Sequence, residues 1–233
     1  MVEVGCSVLL GSLRIVAKHS FEGVSGLPHR CPWSESHQLL MDYHDNEWGV
    51  PARDDRVQFE FLVLESFQAG LSWLTILKKR ENFLKAFEGF DPGKVALFGP
   101  EKVRELLSDE GIIRNRQKVS AAISNARAFI DLVEKEGPFS SWLWGFVDGE
   151  PLVGGWSTEK QIPAETPLSQ KISRELKSRG FSFLGPIVVY SHMQAVGLVN
   201  DHLRGCFRYK EVSLCSSRSS STERSSTPAS DSI

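Results

Sequence analysis

The sequence predicts an all-α domain, and three observations carry that expectation. Apolar residues recur at intervals of three and four through most of the chain, capping residues stand before those stretches, and no alternating run is long enough to force a sheet. Asp54 or Asp55 caps the first periodic stretch, which carries Val57, Phe61, Leu62, Leu64 and Ala69 and is ended by Gly70. Ser72 caps the next, through Leu74, Leu77, Phe83 and Phe87. Asp91-Pro92 opens a short helix to Phe98, and Pro100 opens another with Val103, Leu106 and Leu107. The longest helix is expected from Asn115 to Lys135, with Val119, Ala122, Ile123, Ala126, Phe129, Ile130 and Val133 on one stripe. Residues 151–163 hold most of the ambiguous material. Thr166 then caps a helix to Arg179, and the last is expected from near Pro186 to about Val199.

Composition narrows the classes. With 41% hydrophobic residues in 233, the chain can fill a real core. Its 27 Lys+Arg against 29 Asp+Glu give a formal charge of -2, so no global positive field draws it to nucleic acid and any such affinity needs a local basic face. No apolar run approaches the roughly 18 to 20 residues that a membrane span needs, and no membrane partner is expected. Four scattered cysteines, Cys6, Cys31, Cys206 and Cys215, do not make a secreted disulfide framework, so a reducing compartment, nucleus or cytoplasm, is the expectation. The chain divides into an N-terminal extension (1–27), a folded unit (28–209) and a Ser-rich tail (210–233) too poor in apolar groups to offset the entropy of ordering. Within the extension Arg14 and Lys18 sit among small and apolar residues, so a cleaved targeting segment is an alternative there, weakened by Glu3 and Glu22.

Four constellations bear on chemistry. Cys31, His44, His202 and Cys206 offer two thiolates and two imidazoles, a set that completes a tetrahedral zinc site with no position left for water; were the chain helical at His202 and Cys206, that pair would share a face. Taken alone, such spacing more often belongs to unrelated core residues. Trp33, Tyr43, Trp48 and Trp73 form an aromatic group, and Trp33 and Trp48 lie in a polar segment without a helical apolar stripe, which suits stacking on a planar ligand from a loop. Glu65 has Phe61, Leu62, Gln68 and Ala69 as helical neighbours, so its carboxylate is expected on an apolar face with no basic partner. Gly180, Phe181, Ser182 and Gly185 belong to a tight turn before a helix, where backbone N–H groups can hold a phosphate. Gly111-Ile-Ile-Arg114, followed by Arg116 and Lys118, is a shorter turn of the same kind, and Lys78, Lys79 and Arg80 add local positive charge.

Taken together, Cys31-Pro-Trp33, Tyr43-His-Asp-Asn-Glu-Trp-Gly-Val-Pro51, Gln68-Ala-Gly-Leu-Ser-Trp73, Lys78-Lys-Arg-Glu-Asn82, Gly111-Ile-Ile-Arg114 and Gly197-Leu-Val-Asn-Asp-His202 closely resemble the 3-methyladenine DNA glycosylase I family, over roughly residues 30 to 207. The resemblance implies a helix-hairpin-helix DNA glycosylase fold. It places one structural zinc on Cys31, His44, His202 and Cys206, joining the N- and C-terminal segments. It places the base pocket on Trp33, Tyr43, Trp48, Glu65 and Trp73, with Glu65 and Tyr43 in the catalytic role, and the DNA-gripping hairpin on Gly180 to Gly185. Ser66 and Phe67 depart from the small and polar pair expected between Glu65 and Gln68, a change that bears on pocket shape, and the two tails have no counterpart.

The implied activity is excision of 3-methyladenine from double-stranded DNA by a monomer, leaving an abasic site. Methylation at N3 makes the attached base cationic, so indole and phenol faces and one carboxylate favour it over normal adenine. Asp201 lies near the position where the wider superfamily places an acid, but orienting His202 is the expected role. No lysine in the hairpin turn suggests strand cleavage. The alternatives are a non-catalytic zinc-containing DNA-binding module and a glycosylase for other alkylated purines.

Overall fold

The computed structural model describes residues 29–213, so the expectations for residues 1–27 and for the tail beyond 213 fall outside the described residues. The chain is mostly helical. A single turn at Pro32–Ser34 leads into α1 (Gln38–Asn46), followed by α2 (Asp55–Gln68), α3 (Trp73–Ala86), α4 (Pro92–Ala96), α5 (Pro100–Ser108), α6 (Arg116–Glu136) and α7 (Phe139–Trp144). Strand β1 (Leu152–Val153), α8 (Pro167–Ser178), α9 (Pro186–Ala195) and β2 (Val199–Asn200) follow, and residues 207–213 are again helical (α10).

The expected caps form. Asp54 accepts from the amides of Arg56 and Val57, Ser72 from Thr75, Asp91 from Lys94, and Asn115 from Lys118. Thr166 and Ser169 bond reciprocally at the start of α8. The helix at the centre is α2. Nine of its fourteen residues are buried, including Phe59, Phe61, Leu62, Val63, Leu64 and Phe67, because α3, α6, α7 and α9 all pack on it. Phe67, Phe83, Phe87 and Phe90 continue the core in edge and stacked contacts with centroids 4.9 to 6.3 Å apart.

Four features differ from expectation. The segment read as a polar loop around Tyr43 is helix α1; its buried residues Leu40, Tyr43 and His44 are a helical stripe made with a tyrosine and a histidine instead of aliphatic residues. The last expected helix stops at Ala195 because Gly197 takes φ +73° against the 49–51 backbone, where a Cβ would lie 2.5 Å from Pro51 N. The chain beyond it pairs in parallel, Leu152 with Val199 and Val153 with Asn200, so two residues of the ambiguous 151–163 segment find a partner that local sequence cannot announce. Residues 210–213, expected to open the tail, belong to α10, and Asn200 Nδ2 bonds Tyr209 O and Ser213 Oγ at 3.0 Å.

Candidate active site and metal centre

The N-terminal turn, α1 and the 202–206 segment meet. Cys31, His44, His202 and Cys206 are all buried, and one donor atom from each lies within 4.8 Å of the others. His44 Nε2 is 3.2 Å from His202 Nδ1 and 3.4 Å from Cys206 Sγ; His202 Nδ1 is 3.6 Å from Cys206 Sγ and 3.9 Å from Cys31 Sγ. The outer nitrogens have other partners. His44 Nδ1 lies 2.8 Å from Asp45, which Arg30 grips through three contacts of 2.7 to 3.0 Å, and His202 Nε2 lies 3.0 Å from the carbonyl of Trp48. A carbonyl only accepts, and an ionised Asp45 only accepts, so both rings carry their protons outward and turn lone pairs inward. Two inward lone pairs and two sulfurs converging in a dry space are a donor set for a four-coordinate cation.

The 202–206 segment reaches this geometry without the helix that its spacing allows. His202 and Leu203 belong to no regular element, and a tight turn through Arg204 and Gly205, closed by Cys206 N–H to Leu203 O at 2.8 Å, brings Cys206 back before α10 begins. Asp201 does not orient His202. Its carboxylate accepts from Trp156 Nε1 at 2.7 Å, Tyr190 Oη at 2.6 Å and Gln194 Nε2 at 2.8 Å, a buried clamp that joins α9 to the loop after β1.

The four aromatic residues also converge. Trp33 and Trp48 meet edge-on at 5.1 Å, Trp33 and Tyr43 lie 6.4 Å apart, and Tyr43 and Trp73 lie 5.2 Å apart. Trp48 touches His202 at 4.6 Å, so the ring cluster and the metal-type cluster share a wall. Their supports are two helices, α1 for Tyr43 and α3 for Trp73, and two turns, for Trp33 and Trp48, where the sequence suggested a loop around Trp33 and Trp48. Glu159, from the ambiguous segment, fixes the Trp33 amide at 2.7 Å. Phe61 carries the cluster onto α2, stacking on Trp73 at 6.5 Å and meeting Tyr43 at 6.3 Å.

One turn beyond Phe61 on the same face stands Glu65, 4% exposed. Its Oε2 has no hydrogen-bond partner, and the only comparable orphan in the aromatic cluster among the described residues is Trp73 Nε1. Burial pushes the carboxyl up to about 8. Glu65 faces a cavity of about 340 Å³ bounded by Gln68, Ala69, Gly70 and Leu71 on one side and by Ile187, Val188 and Ser191 of α9 on the other. None of the four aromatics lines that hollow; they stand behind Glu65. Ser66 and Phe67 turn away from it, Ser66 bonding Val63 O and Phe67 packing on Phe83 and Phe87, so this departure from the family pattern does not reshape the wall.

The α8–α9 turn sits at the cavity's edge, since Ile187 and Val188 belong to the first turn of α9. Gly180 (φ +90°) reverses the chain. Phe181 is buried and Ser182 is held by Asn125, so these two anchor the turn instead of presenting side chains outward. Phe183 is the exposed residue at the tip, with φ +58°. Gly185 caps α9 without a side chain, leaving first-turn amides beside the cavity for an external acceptor. The basic run resolves differently: Arg80 is bound to Glu47 and Glu60 and lies over Phe61, while Lys79 Nζ bonds Glu110 O.

The methyladenine glycosylase family model matches residues 33–209, three quarters of the chain. The chain belongs to this family. It is 49% identical over 180 residues to the DNA-3-methyladenine glycosylase 1 of Escherichia coli (strain K12), covering 77% of this chain and 96% of that one. A crystal structure of a 3-methyladenine DNA glycosylase I superposes with a TM-score of 0.75 at 49% identity, covering 77% of this chain and 98% of that one. The Staphylococcus aureus 3-methyladenine DNA glycosylase I, whose structure addresses 3-methyladenine recognition, superposes with a TM-score of 0.76 at 35% identity, covering 79% and 98%. The helical architecture of the family is therefore that of this chain. Sequence reasoning missed Glu159, Asn125 and Lys118 as supports of the site, because each acts by bonding backbone far away in sequence.

Proposed function

We propose that the protein is a DNA-3-methyladenine glycosylase, acting as a monomer on duplex DNA and hydrolysing the bond between the alkylated base and its sugar. The observation that carries this reading is Glu65: a buried carboxyl with an unpartnered oxygen, on the wall of a cavity that the first turn of α9 also borders. The names of its relatives support the same activity. A carboxyl buried without a partner is costly for folding, and a cationic base with hydrogen-bond donors on its edge supplies what it lacks. The α9 amides beside the mouth suit the phosphate of a nucleotide rotated out of the stack.

The chemistry asks little of the protein. The C1′–N9 bond breaks with its electron pair passing to the base, which neutralises the ring charge; a water oxygen bonds C1′ and its proton is released to solvent. Glu65, ionised by the arriving positive charge, stabilises the cation and the developing charge on the sugar, and the Trp33–Tyr43–Trp48–Trp73 cluster, joined to its helix through Phe61 and outside the cavity wall, keeps water from screening that attraction. Normal adenine, being neutral, gains no such attraction. Lys118, the buried lysine nearest this region, spends its ammonium group on two backbone carbonyls, which supports a monofunctional enzyme that leaves the abasic strand uncut.

The Cys31, His44, His202 and Cys206 cluster fits zinc. Bond lengths near 2.0 Å to nitrogen and 2.3 Å to sulfur set tetrahedral edges of roughly 3.3 to 3.8 Å; four of the donor separations run from 3.2 to 3.9 Å, and all lie within 4.8 Å. With all four positions taken by protein, the ion would hold the Trp33 turn and the Trp48 carbonyl in place and take no part in hydrolysis. The decisive experiment incubates purified protein with methylated duplex DNA and identifies the free bases by chromatography. Release of 3-methyladenine without strand scission is expected; no release, or scission without added heat or base, overturns the reading.

A further inference from the structure

Resting on the glycosylase reading, we infer that Lys118 and Asn125 of α6 are positioning residues that set the gap between the two walls of the base cavity. Both are buried polar residues, seven apart and so on one face of the helix. Lys118 Nζ donates to Phe67 O at 2.8 Å and to Ala69 O at 2.6 Å. These carbonyls end α2 two and four residues after Glu65, where a cation also opposes the helix dipole. The turn so fastened, Gln68 to Leu71, is the first wall of the cavity. Two helical turns along α6, Asn125 accepts from Ser182 N–H at 2.8 Å and donates to Ser182 O at 2.9 Å, with Ser124 Oγ 3.3 Å from Ser182 Oγ. Ser182 lies in the α8–α9 turn, and α9 supplies the second wall. One rigid helix therefore grips both sides of the mouth by their backbones, and the spacing of two of its side chains fixes where a base must sit relative to the turn that holds its strand. This explains why Lys118, which follows the Gly111–Arg114 turn among basic residues, faces inward instead of joining a phosphate-binding surface.

The test separates positioning from general support. Lys118→Met keeps the length and loses both bonds to α2, and Asn125→Ala frees the Ser182 turn. Single-turnover release of 3-methyladenine from saturating DNA is measured together with the Kd for DNA carrying an uncleavable abasic analogue. Lys118→Met is expected to lower the release rate 10- to 100-fold with Kd changed less than threefold, because only the base wall moves. Asn125→Ala is expected to weaken DNA binding at least tenfold with a smaller loss of the saturated rate. Folded variants in which rate and Kd change together, or neither changes, overturn the inference. If Lys118→Met is not recovered folded, Lys118→Arg carries the test: it keeps the charge but displaces the turn, so a reduced rate at unchanged Kd supports positioning and a wild-type rate overturns it. The wild-type release rate in the same assay tests the glycosylase reading separately.

Discussion

Replacing Glu65 by Gln should make the protein more stable and less useful, and the difference should depend on pH in a calculable way. The carboxyl is 4% exposed, and burial moves it from 4.5 to about 8. Below pH 4.5 both folded and unfolded chains hold the proton, so the residue is neutral to stability. Between 4.5 and about 8 the unfolded chain releases the proton and the folded one keeps it, so stability falls as pH rises; above about 8 the penalty is constant. The full span corresponds to about 5 kcal/mol and its value at pH 7 to about 3 kcal/mol, at 1.36 kcal/mol per decade. Water entering at the cavity mouth reduces this, so at least ~2 kcal/mol is the expected observable. Urea denaturation of wild type and Glu65→Gln at pH 5, 7 and 8.5 measures it, and other titrations cancel in the difference between the two. The advantage of Glu65→Gln should grow from pH 5 to 8.5, while its release of 3-methyladenine falls by roughly 100-fold, on the order of 3 kcal/mol of lost charge stabilisation. A stability difference that does not change with pH refutes the argument from burial, whatever the variant does to activity.

Three further outcomes follow from the same geometry. Metal analysis should find one zinc per chain, and a strong chelator or Cys31→Ser should lower Tm by roughly 10 to 20 °C, read by circular dichroism, as expected when about 5 kcal/mol of organisation is lost from a domain of this size; an unchanged Tm speaks against the site. Trp73→Ala removes the ring against which Tyr43 and Phe61 pack behind Glu65 and should slow base release by about 10-fold, on the order of 1.4 kcal/mol, with DNA affinity measured by fluorescence anisotropy little affected. Asp201→Ala leaves three donors, one buried and two partly buried, without an acceptor and should cost about 3 kcal/mol in urea denaturation; a folded sample that retains its release rate within tenfold supports a clamp, and complete loss of release points to chemistry.

Much of the helical framework was legible because its signals are local. Asp54, Ser72, Asp91, Asn115 and Thr166 each cap the helix that follows them, and the apolar periods from Val57 to Val133 lie on helices. Helix α1 was not legible, because Tyr43 and His44 form its inward stripe and neither reads as apolar. The end of α9 was missed for a different reason: Val196, Leu198 and Val199 are apolar enough to continue a helix, and only the approach of the 49–51 backbone to Gly197 forbids it. In the site, Glu65 was legible from its neighbours on one helix. The placement of Asp201 was not, since its three partners come from positions 156, 190 and 194. The aromatic group was recognisable as residues that belong together, but its location behind the carboxylate, instead of around the hollow, needed the packing of Phe61 between Tyr43 and Trp73. Phe181 and Ser182, expected to face DNA, anchor the turn from inside, a distinction that needs the position of α6.

The donors of the metal-type cluster have a consequence for how the molecule is made. Two come from positions 31 and 44 and two from 202 and 206, so a nascent chain emerging from a ribosome presents half of a coordination shell long before the other half exists. An ion taken up by the early pair alone has only two protein ligands and remains free to exchange. Were a metal bound there, stable capture would wait for the last turn of the domain to be synthesised and to dock, so loading would follow folding of the domain instead of seeding it.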